Sequence, residues 1–207
     1  MRTMTRTTIA LLCLLPLAAT ADEPVIPAQK YVYCTVCHGI AMGGNVVIAA
    51  PRLAGMDEWY VARQLEAFKL GWRGVHPDDA GGHEMRPMAA ILDDAEIEEV
   101  SAYVAAVSAP PPPLTLDGDA QRGAAIYASC GACHGADGQG NEALGGPPLT
   151  GLNDWYLQTQ LEHYVSGVRG SHPDDDYGQQ MRAAAELLPN EQAIADVVRY
   201  ISTLGSN

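Results

Sequence analysis

Apolar residues recur along this chain at helical spacing, and strand-like alternation is nearly absent. Ile97, Val100, Val104 and Val107 fall on one helical face, as do Ile194, Val197, Val198 and Ile201. Asp93 and Asn190 stand just ahead of these runs as N-caps. Asp119 is expected to cap a helix from Ala120 to Cys130. Its counterpart, over 28–34, is shorter because Pro24 and Pro27 delay it. Asp57 and Asn153 are expected to cap helices that end near Gly71 and Gly167. Gly- and Pro-rich loops are expected over 39–55 and 135–151, and a second long loop in each half leads to a methionine. The pattern predicts an all-α protein.

The likeness of the two halves is a true repeat. Residues 34–92 align with 130–188 at a constant offset of 96 without a gap, and 26 of these 59 positions are identical. One extra residue enters after Leu188, and the pairing resumes at offset 97 with Ile97/Ile194, Val100/Val197 and Tyr103/Tyr200. Pro110 to Pro113 lie between the copies. Four prolines cannot continue a helix and favour extended polyproline structure, so 110–116 reads as a stiff linker. The expected domains are 22–109 and 117–207. Residues 1–21 read as a cleaved signal peptide, with Arg2 and Arg6, an apolar run from Ile9 to Leu17, and Ala19-Thr20-Ala21 before the cut. That run is too short to span a bilayer, and no integral membrane segment is expected after cleavage.

Charge narrows the class of partner. The formal charge is −13, and loss of the two leader arginines takes the mature chain to −15. Such a surface argues against nucleic acid and anionic membrane, and favours basic partner surfaces.

The cysteines bring in the chemistry. Cys13 lies in the leader. The other four form two five-residue stretches, Cys34-Thr-Val-Cys37-His38 and Cys130-Gly-Ala-Cys133-His134. This is the c-type haem attachment signature. Two thiols on one helical turn each bond a haem vinyl group, and the following His takes one axial position of the iron. Two covalently attached haem c groups are therefore expected. No thiol is left for a disulfide, a zinc site or a nucleophile.

The second axial ligand is expected from the repeat. Met85 and Met181 each lie 47 residues after their His, in paired Met-Arg steps. Met88 competes in the first half, but its counterpart is Ala184; Met42 and Met56 face Gly138 and Leu152. The expected iron ligands are His38 with Met85, and His134 with Met181. An axial His commonly donates its other N–H to a carbonyl, and Pro51 and Pro147 in the two P-x-L-x-G stretches are the expected acceptors.

The paired C-x-x-C-H motifs, P-x-L-x-G, the W-Y-x-x-x-Q-L helix and M-R-x-x-A resemble the dihaem class I cytochromes c of the cytochrome c4 type. The resemblance spans nearly all of the mature chain. It implies two tandem class I cytochrome c domains, each a small helical bundle about one haem, packed around a pseudo-twofold axis. It also implies periplasmic single-electron shuttling from a respiratory or dehydrogenase donor to an oxidase or reductase. One alternative is a dihaem enzyme of the peroxidase or thiosulfate dehydrogenase type, which needs an open or unusual ligand at one haem. Another is the dedicated electron-accepting subunit of a periplasmic dehydrogenase.

Some residues remain outside that scheme. Arg73-Gly-x-His76-Pro-Asp-Asp79 recurs unchanged as Arg169-Gly-x-His172-Pro-Asp-Asp175. Its plainest reading is a loop whose Arg or His binds a haem propionate and whose Asp caps a turn; a metal or partner site, or His76 and His172 as distal ligands, are sharper ones. Arg52 faces Pro148 in the repeat, so a propionate contact there would serve one haem only. Trp59, Tyr60, Trp155 and Tyr156 are expected to pack the core or a haem edge. His163, opposite Ala67, is expected at the surface.

Overall fold

The structure, a computed structural model, describes residues 29–205. The expected leader and residues 22–28 lie outside them. Among the described residues there are eight α-helices: α1 Val32–His38, α2 Glu58–Lys69, α3 Ala80–Ala90, α4 Asp94–Ala106, α5 Ala120–His134, α6 Asp154–Val165, α7 Asp176–Ala185 and α8 Glu191–Ile201. Among the described residues, extended pairing is confined to two isolated bridges, Asn45–Ala50 and Asn141–Gly146, at matching points of the repeat. Residues 29–31 form a 3-10 turn, and α1 begins after it, so the first helix starts later than the sequence suggests.

Each half is built the same way. The last helix buries its apolar stripe: Ile97, Val100 and Val104 in α4, and Ile194, Val197, Val198 and Ile201 in α8. Asp93 caps α4 in a reciprocal box with Glu96, and Asn190 caps α8. Tyr31 and Tyr127 occupy equivalent core positions against these helices. In the second half α5 crosses α8 closely. Gly123 permits this, since a Cβ there would collide with the Asp196 carbonyl. Arg122 then binds the Asp196 carboxylate through Nε at 2.6 Å and Nη2 at 3.0 Å, which holds that carboxyl well below its usual range.

Two expectations need correction. The second long loop is a helix in both halves, α3 and α7. Gly81, Gly82 and Pro87 disguise it in the first copy, because glycine and proline are the poorest helix formers. The second copy has Tyr177 and Ala183 at two of those positions, and its helical signal was the one to follow. Asp57 and Asn153 do precede α2 and α6, but neither side chain caps its helix. Asp57 accepts from Trp59 Nε1, and Asn153 Oδ1 accepts the backbone N–H of Arg52 in the other half at 2.7 Å.

The linker is fastened at both ends. Arg52 donates to the carbonyls of Ala109 and Pro110 at 2.8 and 2.7 Å. Asp154 accepts from Thr115 N, Thr115 Oγ1 and Leu116 N. Arg52 is thus occupied by the linker, which accounts for its lack of a basic counterpart.

Candidate functional site

The end of α5 supplies three of the expected residues. Cys130, Cys133 and His134 line a cavity of about 530 Å³, and Met181 of α7 lines it too. Apolar side chains such as Leu149, Leu157 and Leu161 form much of the remaining wall. The first half contributes Tyr60, Gln64 and Trp72 to the same cavity.

His134 is 7% exposed and its Nδ1 lies 2.8 Å from the Pro147 carbonyl. His38 is 4% exposed and its Nδ1 lies 2.7 Å from the Pro51 carbonyl. A carbonyl only accepts, so each Nδ1 carries the proton and each Nε2 keeps its lone pair. Burial pushes both imidazoles below their ordinary pKa, which favours the neutral form a metal requires. The expected proline contacts are therefore present in both copies. Gly39 and Gly135 end the helices at φ +81, which releases the chain to fold back beneath the ring. Gly44 N and Gly140 N then bond the carbonyls of His38 and His134.

All four thiols are free. Cys37 and Cys133 are exposed, while burial raises the pKa of half-buried Cys34 and Cys130. Met85 is half-buried on α3, and Met88, its competitor, is 41% exposed. Met42 is fully buried in a core cluster with Ala54 and Val107.

This donor set fits a covalently held haem c. Two unpaired thiols, an imidazole with one free nitrogen and a thioether share an apolar cavity in the second half. The first half repeats the thiols, the imidazole and its carbonyl partner.

The duplicated loop now has roles residue by residue. Asp79 and Asp175 cap α3 and α7, accepting Gly82 N and Gly178 N at 2.9 Å. They begin the helices that carry Met85 and Met181. Gly74 and Gly170 have φ of +72 and +75, and a Cβ on either would strike the carbonyl of Gly82 or Gly178. His76 and His172 turn onto their own loops, each Nδ1 accepting a backbone N–H two residues on. His172 stacks on Trp72 and does not line the cavity, which removes it as a distal ligand. Among the described residues no cluster of His, Cys, Asp and Glu could hold a further metal ion.

The arginines of the loop go to the seam between the halves. Arg73 donates to Gln64 Oε1 at 2.8 Å and to Gln160 Oε1 at 3.1 Å. Arg169 donates to Gln160 Oε1 and Gln64 Oε1, both at 2.7 Å. Each arginine therefore holds its own half's glutamine and its partner's. Sequence reasoning matched these four residues in the repeat without seeing that they meet. Their signal was Arg73/Arg169 and Gln64/Gln160 invariance in a stretch that ligation leaves unexplained. His163 is also a correction, since it is only 20% exposed and lies 3.9 Å from Asp79 across the seam.

Comparison with known proteins follows the same division. The Cytochrome c family model matches residues 28–108 and 120–205. The chain is 32% identical over 183 residues to the thiosulfate dehydrogenase electron acceptor of Stutzerimonas stutzeri, covering 83% of this chain and 79% of that one. It is 31% identical to cytochrome c4 of Thiocapsa roseopersicina, covering 83% and 86%. Among solved structures, cytochrome c4 of Acidithiobacillus ferrooxidans matches with a TM-score of 0.67 and 31% identity, over 83% of this chain and 98% of that chain.

Proposed function

Because the chain belongs to the cytochrome c family, as a two-domain member of the cytochrome c4 type with two covalently attached haem c groups, we propose that it is a periplasmic single-electron carrier with no substrate chemistry of its own. It would take electrons from a respiratory or dehydrogenase donor and deliver them to a terminal oxidase or reductase. The observation that carries this reading is the duplication of one complete arrangement: thiols, buried imidazole, carbonyl partner and capped methionine helix, once in each half.

When bound, each haem supplies a one-electron couple. The residues do the rest. Cys34, Cys37, Cys130 and Cys133 are the attachment points. Pro51 and Pro147 fix the tautomer and direction of His38 and His134, leaving Nε2 to ligate. Asp79 and Asp175 anchor the helices from which Met85 and Met181 would complete the coordination. The neutral sulfur of Met85 or Met181 would favour the reduced state and, as a ligand, would exclude oxygen and peroxide. The mature charge of −15 supports docking to partners with basic surfaces.

The likeness to a thiosulfate dehydrogenase electron acceptor supports a second reading, in which the donor is a dedicated periplasmic dehydrogenase. It uses the same sites and differs only in partner. Redox titration and ligand addition test the common claim. The protein should take up two electrons per chain, and carbon monoxide should leave the reduced spectrum unchanged. Rapid carbon monoxide binding at one haem would instead support the dihaem enzyme.

A further inference from the structure

Arg86 and Arg182 occupy equivalent places in the two halves, on α3 and α7. Each guanidinium reaches back over the glycine just past the preceding long helix. Arg86 Nη2 would lie 3.7 Å from a Cβ at Gly71, and Arg182 Cζ 3.3 Å from one at Gly167. Their partners differ. Arg182 donates through Nε to Glu186 Oε1 at 2.9 Å and through Nη1 to Ser171 Oγ at 3.0 Å. In the first half the corresponding residues are Ala90 and Val75. Both acceptors are gone, and among the described residues the Arg86 side chain has neither a hydrogen bond nor an ion pair.

A pocket of about 340 Å³ opens beside this arginine. Arg86, Lys69 and His83 line it, Ala90 is in its wall, and no Asp or Glu lines it. Two further exchanges point the same way. Lys69 stands where the second half has Val165, and His83 where it has Gln179. Loss of a carboxylate, gain of a lysine and gain of an imidazole all make one spot more positive, in a chain of formal charge −13. Like charges gathered without a counter-charge repel one another. Lys69 Nζ does bond Asp94 Oδ1 at 3.1 Å, but the Asp94 side chain is 98% exposed and lies outside the pocket. An exposed pair of this kind is weak, and the ammonium keeps further donors. The second half shows that the fold itself asks for none of these changes.

We propose that this pocket binds a small oxyanion of the phosphate, sulfate or carboxylate class, in the role that the Glu186 carboxylate plays in the second half. Arg86 offers a planar fork of donors, and Lys69 and His83 offer single N–H groups. The pocket has room for an oxyanion together with bridging water. The anion ties α3 to the end of α2, where Lys69 is the last residue, just as Arg182, Ser171 and Glu186 tie α7 to the turn before it. Arg86 follows Met85, so the helix braced in this way is the one that carries the expected iron ligand of the first half. None of the residues lining this pocket lines the cavity of the second half. The site is separate from the electron-carrier reading and does not rest on it.

The test is thermal unfolding of the haem-loaded protein in sodium phosphate and in sodium chloride at equal ionic strength, with the R86Q, A90E and R182Q variants beside the parent. Phosphate stabilises folded proteins in general, so the comparison among variants is the readout. At phosphate about ten times its dissociation constant the parent Tm should exceed that in chloride by roughly 3–6 °C. R86Q should weaken phosphate binding about tenfold or more, since it loses the charged donor fork. A90E restores a carboxylate four residues after Arg86, so it should raise Tm in chloride and abolish the extra gain from phosphate. R182Q should keep the parent response. No phosphate-specific rise in the parent overturns the proposal, as does an undiminished rise in R86Q or A90E, or its loss in R182Q. If R86Q fails to mature, A90E decides the matter alone.

Discussion

Replacing Asp154 by alanine should loosen the seam by releasing the linker. Asp154 is 2% exposed at the start of α6, and its carboxylate accepts Thr115 N at 2.5 Å, Thr115 Oγ1 at 2.8 Å and Leu116 N at 2.9 Å. It also accepts Trp155 N at 2.8 Å. Its neighbour Asn153 holds Arg52, and Arg52 holds the other end of the proline run. Hydrogen bonds to a charged acceptor contribute ~1.5–3 kcal/mol each, and those on one group are not additive. Released Thr115 and Leu116 N–H groups recover part of this from water, so the net loss for D154A is ~3 kcal/mol. For a chain of this size that lowers Tm by roughly 6–12 °C. D154N keeps one good acceptor and should lose about half as much. Burial by itself would raise the Asp154 pKa, but the bonds from Thr115, Leu116 and Trp155 outweigh it and hold the group below its ordinary value. The stabilisation is therefore complete above the unfolded pKa of ~3.9 and disappears as pH falls through the lower folded value. Thermal melts of the haem-loaded protein from pH 7 down to about pH 2 would read both effects. Parent and D154A should differ most at neutral pH and converge in acid. A Tm difference under ~2 °C at pH 7, or one that does not change with pH, would refute the reasoning.

Other substitutions probe separate links. N153A removes the acceptor of the buried Arg52 N–H and should cost ~1–3 kcal/mol in urea unfolding, with no change in haem spectrum. G170A forces a Cβ against the Gly178 carbonyl at φ +75 and should cost at least ~2 kcal/mol, whereas alanine at Gly151, with φ +73 but open space, should cost less. D175A removes the cap of α7, should cost ~1 kcal/mol, and should weaken the far-red methionine band of the second haem only. V198A, at a fully buried site of the α8 core that does not line the haem cavity, should lower stability by ~2 kcal/mol while leaving both potentials in place.

Much of the fold was legible because the repeat doubles every local signal. Ile97, Val100 and Val104 repeat as Ile194, Val197 and Ile201, and both stripes are buried. The Pro51 and Pro147 carbonyls were readable in advance, since an imidazole expected to bind a metal through one nitrogen commonly gives its other N–H to a carbonyl. Helices α3 and α7 were not, because local propensity opposes one copy and only the other shows it. Asn153 and His163 were misjudged for a different reason. Their partners, Arg52 and Asp79, lie in the other half, and local pattern carries no record of a contact across more than eighty residues. The Arg73/Arg169 loop was conspicuous in the sequence and opaque in meaning, since its arginines act only when the two halves come together.

The central claim is that both haems are held between His and Met in equivalent sites. It is tested most directly by the ferric spectrum of the haem-loaded protein beside those of M85A and M181A. The parent should show the weak sulfur-to-iron(III) charge-transfer band, and each variant should lose half of it and gain the ability to bind carbon monoxide at one reduced haem. A parent band of half strength, or a full band in M85A with loss in M88A instead, would contradict the account.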